Sequence, residues 1–62
     1  MDFTVENHGS IFLLRPNTKA AQAWIDSNIP EDAQYLGNAV AIEHRYIMDI
    51  IDGIQADGLS IG

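Results

Sequence analysis

The feature that most constrains this chain is a single change of hydrophobic period in its second half. NAVAIE, Asn38 to Glu43, alternates, with Val40 and Ile42 on one side and the small Ala39 and Ala41 on the other, as a strand requires. From His44 to about Ala56 the period becomes 3.6. At 100° per residue Tyr46, Ile47, Ile50, Ile51 and Ile54 fall within an arc of about 140°, the buried stripe of an amphipathic helix. Arg45, Asp49 and Asp52 fall on the opposite side. Gly58 ends the helix as a C′ glycine.

The first half supplies the partners for this strand and helix. DFTVEN alternates Phe3 and Val5 with Thr4 and Glu6, NHGS carries turn residues with Gly9 suited to positive φ, and SIFLL follows as a second strand. Ile11 to Leu14 are apolar on both sides, which predicts an interior position in the sheet, and Arg15-Pro16 is expected to end the strand. NTKAAQAWIDSNIP then reads as a helix. Asn17 or Thr18 is its N-cap, Ala21, Trp24, Ile25 and Ile29 form its apolar side, and Pro30 stops it. Trp24 is expected to anchor this helix on the sheet.

PEDAQYLGN is read as one short helical turn, and LSI near the end as a short last strand or a packed tail. The order is β-β-α-β-α with that optional final strand. It specifies an α+β fold, a small two-layer domain with both helices on one face of a mainly antiparallel sheet. Residues 1–62 form a single domain. A chain this short buries only about 60% of the surface its unfolded form exposes, so the core is small and its stability a few kcal/mol. Without cysteine, no disulfide or thiolate metal site reinforces it, a composition suited to a reducing cytoplasm. Oligomerisation, a homodimer in the simplest case, is the remaining common support. MDFTVENHGS lacks a basic region followed by a long apolar run, and no stretch nears 18 apolar residues, so neither secretion nor a membrane span is expected.

Charge is the second informative feature. Nine acids against three bases give −6, which argues against direct binding of nucleic acid or anionic lipid. Residues 1 to 25 sum to zero. All of the imbalance lies in residues 26 to 62, where Asp26, Glu31, Asp32, Glu43, Asp49, Asp52 and Asp57 face only Arg45. A 47% hydrophobic content is too high for a disordered acidic tail, so the charge is displayed on a fold.

Catalytic and metal chemistry find little support. The only histidines, His8 and His44, lie in different elements, and zinc needs three or four converging ligands. No metal or cofactor is expected. Asp49 and Asp52 lie opposite the isoleucine stripe, so they are hydrated and not poised as a proton-sharing pair. Arg45, four residues before Asp49, is explained by a surface ion pair with it. No serine lies in a nucleophile elbow, and no glycine fits a phosphate loop. Gly53 inside the second helix costs about 1 kcal/mol relative to Ala, so something packs closely against it, or the helix is locally weak, or it is a tolerated surface glycine near the helix end. An enzyme is therefore not expected.

The sequence resembles a group of short proteobacterial and phage-associated proteins through GSIFLLRPNTKAAQAW (Gly9 to Trp24), GNAVAIEHRY (Gly37 to Tyr46) and DGLSI (Asp57 to Ile61). The profile of a tiny, acidic, cysteine-free α+β protein is similar to that of anti-CRISPR proteins, several of which act as DNA mimics. This resemblance implies an inhibitor of a host defence complex. Glu31, Asp32, Glu43, Asp49, Asp52 and Asp57 would imitate phosphates and occupy the nucleic-acid-binding surface of a basic partner, such as a CRISPR effector subunit. The competing expectation is a structural or regulatory subunit, antitoxin-like or an adaptor, bound through apolar surface around Phe12, Leu14, Trp24, Tyr35 or Leu36. A solvated acidic face that only aids solubility is the plain alternative to both.

Overall fold

The computed structural model describes all residues from Met1 to Gly62. The elements are β1 (Phe3–Asn7), β2 (Ile11–Pro16), α1 (Lys19–Asn28), β3 (Tyr35–Leu36), β4 (Ala39–Glu43) and α2 (His44–Ala56). The strands form one antiparallel sheet in the order β1-β2-β4-β3. The α+β class stands, and the doubly apolar β2 occupies an interior position.

Each boundary has a local cause. Gly9 turns the β1–β2 hairpin at φ 84, while the Asn7 side-chain oxygen accepts the Gly9 N–H at 2.9 Å. β2 does not stop before Arg15-Pro16 but runs through it. Pro16 pairs only with Phe3 of β1, because pairing with β4 ends at Leu14, so the missing proline N–H interrupts no ladder between two neighbours. Thr18 is the N-cap of α1, its hydroxyl accepting the Ala21 N–H at 3.1 Å. α2 follows β4 directly, with Glu43 at the N-cap making no side-chain capping bond. It closes in a Schellman arrangement: Leu59 N–H donates to the Ile54 carbonyl, Gly58 N–H donates to the Gln55 carbonyl, and Gly58 has φ 82.

Two segments differ from the sequence expectation. PEDAQYLGN forms no helix but a single hydrogen-bonded turn over Pro30–Ala33, the Ala33 N–H donating to the Pro30 carbonyl at 3.1 Å, and then β3, which returns into β4 through Gly37-Asn38, with Gly37 at φ 62. Two residues are too few to show a period. The Gly-Asn pair between YL and AV is the hairpin signal that marks them. The LSI tail adds to the free edge of β1 in parallel: Phe3 N–H donates to the Ser60 carbonyl and Gly62 N–H to the Phe3 carbonyl.

The core joins Phe3, Leu14, Val40 and Ile42 from the sheet to Ala21, Ile25, Ile47 and Ile54 from the helices, with Trp24, Ile50 and Ile51 packed around them. Alternate residues of β1, β2 and β4 (Phe3 and Val5, Phe12 and Leu14, Val40 and Ile42) enter or pack against this cluster, as expected when both helices cover one face. Trp24 meets Phe3 edge-to-face, centroids 6.0 Å apart, and so fixes α1 against β1. Tyr46 departs from the predicted stripe. It is 49% exposed, at the margin of the arc, with the Arg45 guanidinium 5.0 Å above its ring. No helix is long and apolar enough to cross a membrane.

Candidate functional site: the outer face of α2

The six acids singled out from the sequence separate into three kinds. Asp49 and Asp52, one turn apart on α2, are exposed, and neither takes part in an ion pair or side-chain hydrogen bond. Glu43 and Asp57 flank the helix and are engaged. Glu31 and Asp32 are exposed in the turn after Pro30, on a different element, with no bond tying them to α2.

Arg45 explains the first division. It does not pair with Asp49 as the spacing suggested. Its Nε donates to the Glu43 carboxylate at 3.0 Å, so both carboxylates downstream are left without a cation. Two residues back, at the strand end, Glu43 leans toward the guanidinium while Arg45 also lies over Tyr46. A surface pair of this kind contributes about 0.2–1 kcal/mol. Its larger consequence is the negative charge left uncompensated along α2.

Asp57 is removed from that row by packing. At 100° per residue it lies about 140° around the helix from Asp52, which turns it toward α1. There its carboxylate accepts the Trp24 indole N–H at 2.7 Å. An acid at a helix C-terminus opposes the macrodipole, and this bond gives it a compensating donor. The same approach accounts for Gly53: a Cβ placed there would meet Trp24 Cζ2 at 3.5 Å, ordinary contact distance, so the close neighbour anticipated from the sequence is Trp24. Of the four acids on and beside α2, only Asp49 and Asp52 keep free carboxylates.

Met48 shares the outward side with Asp49 and Asp52 and is 62% exposed. The face is therefore acidic with an apolar side chain in it. Of the residues proposed for an apolar partner surface, Leu14 is fully buried and Phe12 and Trp24 pack against the core; Tyr35 and Leu36 alone are exposed. Tertiary packing has used the other three.

The remaining titratable groups have structural roles. His8 and Arg15 both contact Glu6, His8 at 3.2 Å and Arg15 at 3.4 Å, and together they hold its carboxyl below the usual range. The His44 ring contacts Phe12 and hydrogen-bonds the Gly9 carbonyl, tying the start of α2 to the hairpin turn. The sequence reading passed over Asp2. Its carboxylate accepts the Ser60 N–H at 3.0 Å and the Thr18 hydroxyl at 2.9 Å, bonds that lower its pKa. No three His, Asp or Glu side chains gather as a metal site, and no pocket opens on the surface. Compared with known families, curated proteins and solved structures, the chain matches none.

Proposed function

We propose that the protein is a non-enzymatic acidic inhibitor that occupies a basic nucleic-acid-binding surface through the outer face of α2. The observation that carries this reading is the pair Asp49 and Asp52, exposed on a helix and left without a cation because Arg45 turns to Glu43. Held on a rigid helix, they are separated by an axial rise of about 4.5 Å, close to the 3.4 Å phosphate repeat along one DNA strand. The reading is supported further by a net charge of −6 on 62 residues, which steers the protein toward basic grooves. Glu31 and Asp32 would extend the acidic surface, with Asp57 contributing long-range field while bound to Trp24 and Glu43 neutralised by Arg45. The profile it shares with anti-CRISPR proteins makes a DNA-reading CRISPR effector subunit the most specific target.

The test is charge reversal. Wild type and the double variant Asp49→Lys/Asp52→Lys, with folding verified by circular dichroism, are immobilised and exposed to host lysate at low and high salt. Wild type should retain a nucleic-acid-binding protein that duplex DNA displaces. Retention should fall as salt rises, because the screening length shrinks from about 10 Å at 0.1 M to about 3 Å at 1 M. The folded variant should retain none of it. Undiminished retention by the variant, or binding indifferent to salt, overturns the proposal and favours a subunit held through apolar contacts.

A further inference from the structure

The sheet has a second face, turned away from both helices, and it is not the polar surface usual for an antiparallel sheet with one solvated side. Cross-strand partners share a face, so the register places Leu13 beside Ala41 and Ala39 beside Leu36 there, with Ile11 at the end nearest α2. Leu13 and Ala39 are 6% and 0% exposed, yet both lie outside the core cluster that the helices join. Leu36 at the margin is 57% exposed. The centre of the face is thus apolar and low, with two alanines on β4 and the longer Glu43 only at its end, and Leu13 and Ala39 are already covered by their neighbours.

Charge on this face is balanced, unlike charge elsewhere. Glu6, opposite Leu13, pairs with Arg15; Glu43, opposite Ile11, pairs with Arg45. Removing these two pairs from nine acids and three bases leaves seven acids and Lys19, the whole of the −6, and none of those seven acids lies on a strand. We propose that two copies of this chain pack through these sheet faces about a two-fold axis, with their helices outward. Elsewhere two copies would oppose like charge; here each brings neutral ion pairs around an apolar centre. An isologous contact also sets the Arg15–Glu6 pair of one copy beside a neutral surface of the same kind. The alanines permit close approach of the two sheets, whose usual spacing is about 10 Å. The accessible apolar part of the face is Leu36 with portions of Ile11 and Ala41, so the contact is small and the dimer weak, with Kd roughly micromolar or above.

Sedimentation equilibrium from about 10 μM to about 1 mM tests this, a range that brackets such an affinity. The mass should rise from 6.8 kDa toward twice that value. Amide chemical shifts should change with concentration at Leu13, Arg15 and Ala41 and stay constant at Asp49 and Asp52. Ala41→Glu should weaken the dimer at least ~10-fold by opposing two like charges across the axis. Leu36→Lys, at an exposed site that folding does not need, should act in the same direction. Asp49→Lys/Asp52→Lys should dimerise as wild type does, which separates this proposal from the inhibitor reading. A monomer throughout, dimers unaffected in both folded variants, or shifts centred on α2 would each overturn it.

Discussion

Asp2 and Asp52 are the same side chain in opposite employment. At the terminal junction Asp2 uses both carboxylate oxygens, its N–H and its carbonyl, and so joins the first strand, the N-cap of α1 and the C-terminal tail. Thr18 relays the connection, donating to Asp2 while accepting from Ala21. On the outer face of α2, the carboxylates of Asp52 and Asp49 bond to nothing in the protein. A carboxylate with both oxygens committed is part of the fold, whereas one the fold leaves idle is free for a partner. Acidic content alone does not distinguish them.

The largest effect is expected where the junction meets the core. Phe3 is fully buried, packs on Trp24 and bonds the tail through its backbone; Phe3→Ala should remove about 3–5 kcal/mol, comparable to the whole stability of so small a domain. Its far-ultraviolet circular dichroism should be that of an unfolded chain at 25 °C. A folded Phe3→Ala protein would mean the junction matters less than its bonding implies.

Acid should find this junction and also the Glu6 carboxylate beside His8 and Arg15. The folded pKa values of Asp2 and Glu6 are lowered, so their contribution to stability is complete above the ordinary carboxylate range and is lost as pH falls below about 4 through the folded values. The urea midpoint of the wild type should therefore drop in that window. Asp2→Ala should have a lower midpoint at pH 7 and a shallower fall with acid; an unchanged slope would show that Asp2 is not the group responsible.

A smaller gain is expected at Gly53. Replacing it by Ala removes the flexibility of a helical glycine, and the new methyl lies at contact distance from Trp24, so Gly53→Ala should stabilise the protein by about 0.5–1 kcal/mol. Destabilisation in urea titration would mean that Trp24 cannot accept the methyl. Smallest of all is the effect on folding of Asp49→Ala and Asp52→Ala, each within about 0.5 kcal/mol of wild type. Larger losses would mean that the α2 face has a structural role and would weaken the contrast with Asp2.

Much of the fold was legible in residue order because it is written in local periodicity. The stripe Ile47, Ile50, Ile51 and Ile54, the glycines at 9 and 58, a cap at Asn17 or Thr18 and the interior position of β2 all follow from neighbours a few residues apart, and the structure settles the cap on Thr18. Tyr46 was misplaced because a wide helical arc includes residues at its margins, where an adjacent Arg45 can hold a ring in solvent. β3 was missed because two residues carry no period, although Gly37-Asn38 marks its turn. The candidate site was legible only in part. Spacing identified Asp49 and Asp52, but it paired Arg45 with the wrong acid and counted Asp57 as free.

What the sequence by itself determined is the five longer elements, their apolar sides and the excess of acid in the second half. Only the tertiary structure decided which acids remain unused. Ser60 reaches Asp2 across 58 positions and Trp24 reaches Asp57 across 33, and no local pattern encodes such meetings. Helix and strand periodicity arises from backbone geometry within one segment, whereas the partner of a polar side chain depends on how separate segments pack. The two free carboxylates of α2, and the neutral face on the opposite side of the sheet, are products of that packing.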